Sequence, residues 1–252
     1  MAKVAREDVE QHLWQALDCG RFKDYGPNGL QVEGPRTVGQ VASGVTASRA
    51  FIEAAVQAGA DTLLVHHGLF WRGQDGRLTG WLAARVRLLM QHNLNLLAYH
   101  LPLDAHPEWG NNAAWGRAMG LMADGRFGEQ DLGFMGPAAA LADVARLAAA
   151  VQQAAQGRTP TVVAGDGRPL ARIAWCTGGA QGFFEAAIAA GADAYVTGEI
   201  SEPQAHLARE TGVAFIAAGH HASERYGVQA LGAHLAAHFG VAHAFIEVEN
   251  PA

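Results

Sequence analysis

The sequence predicts an α/β protein made of two similar lobes, with mainly parallel or mixed sheets. Three observations carry that expectation. Short apolar runs alternate with segments of helical period, the pattern of strand–helix–strand units in a parallel sheet. Residues 41–68 align without a gap on residues 173–200 at an offset of 132, with nine identities in 28 positions. The apolar runs also end in polar side chains of the kinds that bind ligands and metals. In open α/β sheets ligands sit outside the carboxyl ends of the strands.

The elements follow in order. Residues 6–18 place Val9, Leu13 and Leu17 at helical spacing, with Gly20 beyond the end. Residues 25–34 read as a loop, because Gly26-Pro27 and Asn28-Gly29 are turn signals. An Asn in such a loop either shapes the turn or reaches a substrate. Residues 41–46 read as a strand. Thr46 and Ser48 are N-cap candidates for a helix through Phe51, Ala55 and Ala58, and Gly59 suits its C′ position. The strand that follows, from Asp61, ends in His66-His67-Gly68. A helix is expected over 79–91 with Leu82, Val86 and Leu89 on one face, then a strand over 94–99. That strand ends in His100-Leu101-Pro102-Leu103-Asp104, where the prolines at 102 and 107 should stop any regular continuation. Residues 121–137 are glycine-rich and read as irregular. The lobe boundary is placed there, giving one domain of two lobes over 1–124 and 125–252. A helix is expected over 138–156, through Leu141, Val144, Leu147 and Val151, and a turn at Asp166-Gly167 precedes a strand over 170–176.

Composition narrows the class. With 252 residues, half of them hydrophobic and 17% charged, the chain is long enough for a substantial core. A net charge of −6 argues against a general nucleic-acid binder, while leaving room for a local basic patch. Two cysteines, Cys19 and Cys176, point to a reducing compartment and read as small buried residues. No apolar run approaches the ~18 residues of a membrane span, and the first eight residues turn acidic at once, unlike a signal peptide. The expectation is a cytoplasmic protein. Twelve histidines are the one compositional oddity.

The repeat says where those histidines matter. The offset of 132 carries His66 onto Gly198 and His67 onto Glu199. The next strands match at an offset of 120, so that His100 meets His220 and Asp104 meets Glu224. Both lobes therefore carry His-x-x-x-carboxylate after an apolar strand. If residue 220 opens a helix, His220 and Glu224 share one face. A His pair alone is equally a strand end with one ring satisfied locally. Two lobes with matching strand ends can instead face each other across a cleft and gather His66, His67, His100, Asp104, His220 and Glu224. Such a mixed nitrogen and oxygen set suits Zn, Fe, Mn or Ni rather than calcium. It exceeds one tetrahedral site, which points to two divalent ions.

At these residues the sequence resembles the Nif-three-like dinuclear metal-centre proteins, also described as GTP cyclohydrolase I type 2 homologues. The likeness covers nearly the whole chain. It runs through the motifs over 24–34 and 44–48, Val65-His66-His67-Gly68 with Phe70-Trp71, His100-Leu101-Pro102-Leu103-Asp104, Thr197-Gly198-Glu199 and Gly219–Arg225. It is closest to the short bacterial branch without an inserted domain. The resemblance implies two metals on His66, His67, Asp104, His220 and Glu224, with His221 a neighbour of the ligand. It leaves His100 behind the ligands, orienting Asp104 or a bound water. It also implies a ring-shaped homohexamer with its metal sites facing an internal cavity.

Two functions follow. One is a metal-dependent hydrolase acting on a nucleotide or related heterocycle, as the opening of the guanine ring of GTP would require. Glu199 is then the acid/base at the site, or else a salt-bridge partner at its rim or an N-cap acceptor. With no GxxxxGK[ST] motif, phosphates would be held by Arg, Lys or loop amides. The alternative is a non-catalytic, metal-stabilised ring-shaped scaffold for a protein or nucleic-acid partner.

Overall fold

The structure is a computed structural model that describes residues 3–252; Met1 and Ala2, the start of the N-terminus read above, lie outside the described residues. The first stretch runs β1 (Val4–Ala5), α1 (Arg6–Ala16), β2 (Gly29–Val32), β3 (Thr37–Val38), β4 (Gln40–Thr46), α2 (Arg49–Gln57), β5 (Thr62–His67), α3 (Gly80–Gln91) and β6 (Asn95–Ala98). Then come α4 (Leu101–Ala105), α5 (Asn111–Ala118), β7 (Gly125–Phe127), β8 (Gly133–Pro137), α6 (Val144–Ala154) and β9 (Thr161–Val163). The last stretch is β10 (Arg172–Trp175), α7 (Phe184–Ala189), β11 (Ala194–Thr197), α8 (Glu202–Thr211), β12 (Ala214–Ala217), α9 (His220–Phe239) and β13 (Ala242–Phe245). Among the described residues no helix is long and apolar enough to cross a membrane.

The chain divides into two compact units. One runs to Leu103 and takes back Gly227–Glu249; the other is Asp104–Tyr226 with Asn250–Ala252. This division differs from the lobes drawn at 124/125. The C-terminal strand explains part of the difference: β13 pairs in parallel with β4, which returns the end of the chain to the first sheet.

The first unit holds a five-stranded sheet in the order β13-β4-β5-β6-β2. Its first four strands are parallel, and β2 is antiparallel at the edge. Phe51, Ile52 and Ala55 of α2 and Leu82, Val86 and Leu89 of α3 pack with Ala42, Leu63, Val65 and Leu96 in one buried cluster. The helix periods read from sequence name Phe51, Ala55, Leu82, Val86 and Leu89, which are buried, whereas Ala58, read on the same face, is the exposed C-cap of α2. Ser48 is the N-cap of α2, accepting from the Phe51 amide at 3.2 Å. The other cap candidate, Thr46, has a different task described below.

The second unit holds a six-stranded sheet in the order β7-β8-β10-β11-β12-β9. Its centre, β10-β11-β12, is parallel, and the flanking strands are antiparallel. Ala194 and Val196 join Leu147 and Val151 of α6 in the core, while Tyr195 between them packs on Phe184 and Phe215. That alternation is the two-residue period of a strand buried on both faces.

Four expectations need correction. Residues 121–137 are ordered by the antiparallel pair β7–β8 rather than irregular. The glycines there allow close approach, since a Cβ at Gly136 would stand 2.0 Å from the Met122 carbonyl oxygen. The helix expected from 138 starts at Val144, because Asp143 caps it by accepting from the Arg146 amide at 2.8 Å. The loop over 25–34 contains strand β2, which the turn signals before it obscured. Pro102 does not exclude a helix: it lies in the first turn of α4, where no intrahelical N–H is required.

Candidate metal centre

In the first unit, β5 ends on His66 and His67, and β6 leads directly into His100. One ring nitrogen from each of the three lies within 4.8 Å of the others. Ring centroids stand 4.6 Å apart for His66 and His67 and 5.0 Å apart for His66 and His100. Each ring is held through Nδ1. His66 is fully buried, and its Nδ1 lies 3.0 Å from the Tyr99 carbonyl oxygen. A carbonyl only accepts, so Nδ1 carries the proton and Nε2 the lone pair. His67 Nδ1 lies 3.1 Å from the Thr46 hydroxyl. His100 Nδ1 donates to Asp24 Oδ1 at 2.7 Å.

Asp24 is the residue that sequence reasoning missed. Its side chain is nearly buried and collects four donors: His100 Nδ1, Asn28 Nδ2 at 2.9 Å, and the amides of Tyr25 at 2.6 Å and Leu101 at 2.9 Å. Burial pushes its carboxyl up, but the His100 hydrogen bond and charge, with Asn28 and the Tyr25 amide, outweigh this and hold it below 3.8. Asn28, read as a turn residue or substrate contact, positions His100 by accepting from its backbone amide at 2.7 Å. His100, expected to orient Asp104 or a water, is thus itself oriented by Asp24.

In the second unit, His220 opens α9 and Glu224 follows one turn later. Glu224 Oε2 lies 3.0 Å from His220 Nε2, the shared face expected from the spacing. Glu199, just beyond β11, accepts from His220 Nδ1 at 2.6 Å. Burial pulls the His220 imidazole down, yet the hydrogen bonds and charges of Glu224 and Glu199 outweigh it and raise the ring from 6.5 to about 9. Asp104 Oδ1 accepts from Asn111 Nδ2 at 2.9 Å and from the Thr177 hydroxyl at 3.2 Å. Asp104 and Glu224 are 6% and 3% exposed, two buried carboxylates whose burial is offset by the partners they keep, for Glu224 the His220 ring at 3.0 Å. Gly178 (φ +70°) makes room for one of them: a Cβ there would lie 2.0 Å from Glu224 Oε1. Both cysteines are buried, and burial pushes the Cys19 thiol up to about 12 and the Cys176 thiol higher still, so neither is poised as a nucleophile.

The donor set fits transition-metal ions. Imidazoles anchored through Nδ1 by a carbonyl, hydroxyl or carboxylate present Nε2 as ligand, the usual arrangement behind a metal-bound histidine. Neutral nitrogen and carboxylate oxygen together suit a borderline first-row cation.

The profile of one family, Duf34/NIF3 (NGG1p interacting factor 3), matches residues 4–251. A Pseudomonas aeruginosa protein called "GTP cyclohydrolase 1 type 2 homolog" is 51% identical over 252 residues, covering 99% of this chain and 99% of its own. A Neisseria meningitidis protein of the same name is 49% identical over 249 residues, covering 99% and 100%. Among solved structures, a protein from Thermus thermophilus superposes with a TM-score of 0.87 at 34% identity, covering 99% of this chain and all of that one.

Proposed function

The chain belongs to the Duf34/NIF3 family, and on that premise we propose that it is a metal-dependent hydrolase resembling GTP cyclohydrolase I type 2. In this reading His66, His67, Asp104, His220 and Glu224 hold two divalent ions of the Zn, Fe, Mn or Ni kind. Such a centre supplies a water acidified to near neutral pH and placed against an electrophilic carbon. The observation that carries the reading is the Nδ1 anchoring of His66, His67 and His220, joined to two buried carboxylates.

The chain's own residues have separable tasks. Asp24 and Asn28 hold His100 beside the imidazole pair. Glu199 accepts from His220 Nδ1 with one oxygen and so orients the ring, while Gln181 Nε2 donates to its other oxygen at 3.2 Å. Its side chain is 43% exposed, so it also has the access a proton carrier needs. A nucleotide-like substrate is favoured by Tyr25, Trp71 and Arg72, which line one recess of the first unit. The Trp71 ring meets His100 edge-on at 5.1 Å, and the Arg72 guanidinium lies 5.4 Å from the Tyr25 ring. Aromatic faces stack any base, and a guanidinium pairs with phosphate. For a guanine substrate the attacked carbon is C8.

The test is turnover of a nucleotide panel by chelator-stripped and metal-reloaded protein. Metal-dependent hydrolysis that falls in Trp71→Ala, through a raised KM, supports the reading. Metal uptake and ring assembly with no turnover favours the non-catalytic scaffold. The family resemblance also leads us to propose a homohexamer; a monomer mass by light scattering at micromolar concentration would overturn that.

A further inference from the structure

Three histidines of the first unit meet where no strand end delivers them. His12 lies on α1, and His234 and His238 lie one turn apart on α9. His12 Nε2 is 2.8 Å from His234 Nε2. The His12 and His238 rings stack with centroids 4.1 Å apart. One ring nitrogen from each of the three lies within 4.8 Å of the others. Phe239 stands edge-on to His12 at 5.3 Å and to His238 at 4.5 Å, an apolar wall on one side of the cluster. None of these residues takes part in the centre described above.

We propose that His12, His234 and His238 form a separate site for a borderline first-row divalent cation, of which Zn²⁺ is the type, and that the ion ties α1 to α9. The ligand chemistry selects the ion: three imidazoles without a carboxylate suit Zn²⁺, Ni²⁺ or Cu²⁺ and disfavour Mg²⁺ and Ca²⁺. Two histidines at i and i+4 on one helix face are a recurrent zinc-binding pair. The geometry needs little change. Zn–N distances of about 2.0–2.1 Å put two ligand nitrogens about 3.3 Å apart on a tetrahedral ion, so His12 and His234 part by roughly half an ångström. His238 is exposed, and its ring turns out of the stack to complete the three. Three protein ligands leave the fourth position to water.

The consequence is structural. His12 and His234 are 222 residues apart in sequence, so the ion fastens the two ends of the chain within one unit. An ion that binds only the folded arrangement stabilises it by mass action. The inference rests on no part of the hydrolase reading.

The test is a Zn²⁺ titration of the chelator-stripped full chain, read as bound equivalents and as the shift in Tm. The variants are His238→Gln, His234→Gln and, as a control at the other centre, His66→Ala. The expected result is that wild-type protein binds one equivalent more than either glutamine variant. Zn²⁺ should raise the Tm of wild-type by more than that of His238→Gln. The His238-dependent equivalent should persist in the His66→Ala background, which separates this site from the proposed dinuclear centre. Equal equivalents in wild-type and both glutamine variants, or an equal Tm shift, would overturn the proposal. His238 is on the surface, so its variant folds; a circular dichroism spectrum matching wild-type confirms it.

Discussion

In the first unit His100 is held by a carboxylate from outside the repeat, Asp24, at 2.7 Å; in the second its mate His220 is held by one from inside it, Glu199, at 2.6 Å. The rest of the two strand-end sets diverges further. The first unit presents three imidazoles held by a carbonyl, a hydroxyl and Asp24. The second presents one imidazole among Asp104, Glu199 and Glu224. Position 46 and its mate 178 show the exchange at one residue: Thr46 holds His67 with its hydroxyl, whereas Gly178 has no side chain and Glu224 occupies that space. The difference teaches a division of labour. In the proposed centre the first unit would contribute imidazole donors whose value lies in their geometry, and the second the negative charge that would offset a cation. Substitutions of the second unit's carboxylates should therefore cost more metal than substitutions among the first unit's supporting groups.

The largest expected effect is at Glu224. A carboxylate has two oxygens and could serve two ions, whereas an imidazole offers one lone pair to one ion. Glu224→Gln should weaken both sites together, while His220→Ala should empty one and leave the other partly filled; elemental analysis of the two variants compares them. Gly178→Ala comes next. The left-handed backbone costs alanine about 1–2 kcal/mol, and the new Cβ displaces Glu224. Both metal content and the urea midpoint should fall. A variant matching wild-type in both would show that Gly178 does not shape the site.

Asp24→Asn should act mainly through geometry, lowering metal affinity by less than the about 10–100-fold expected for losing His100 itself. It also makes a pH prediction for the metal-free protein. Because the folded Asp24 carboxyl lies below 3.8, its contribution is present above that value and lost as pH falls through the folded value. With about 1.5–3 kcal/mol for hydrogen bonds to a charged group, the stability gap between wild-type and Asp24→Asn should be widest near neutral pH. It should narrow only below 3.8. A gap that stays constant in acid would remove Asp24 from this role. The smallest effect belongs to Thr46→Val, which keeps the shape and removes the hydroxyl beside His67. A few-fold loss in affinity is expected, and a loss as large as that of Glu224→Gln would erase the contrast between the units.

Much of this was legible in the sequence for identifiable reasons. The spacing of four put His220 and Glu224 on one helix turn, and the repeat offset placed Glu199 beside the candidate ligands. Helix periods named Phe51, Ala55, Leu82 and Leu89 as buried. The role of Asp24 was not legible beyond its place in the 24–34 motif, because it lies in a loop before the repeat and has no mate; only the fold brings it to His100. Tyr99 was hidden for another reason, since it acts through a backbone carbonyl that any residue supplies. Strand β8 was masked by its glycines, which mark close packing there rather than an irregular loop. The late start of α6 depended on the Asp143 cap prevailing over an alanine-rich pattern that favours helix from 138.

The central proposal is that the chain's candidate ligands hold two ions. The direct measurement is the transition-metal content of the full chain carrying His238→Gln, which sets aside the separate histidine site, after reloading and removal of loose ions. Two equivalents per chain are predicted. At most one equivalent after reloading would contradict the account.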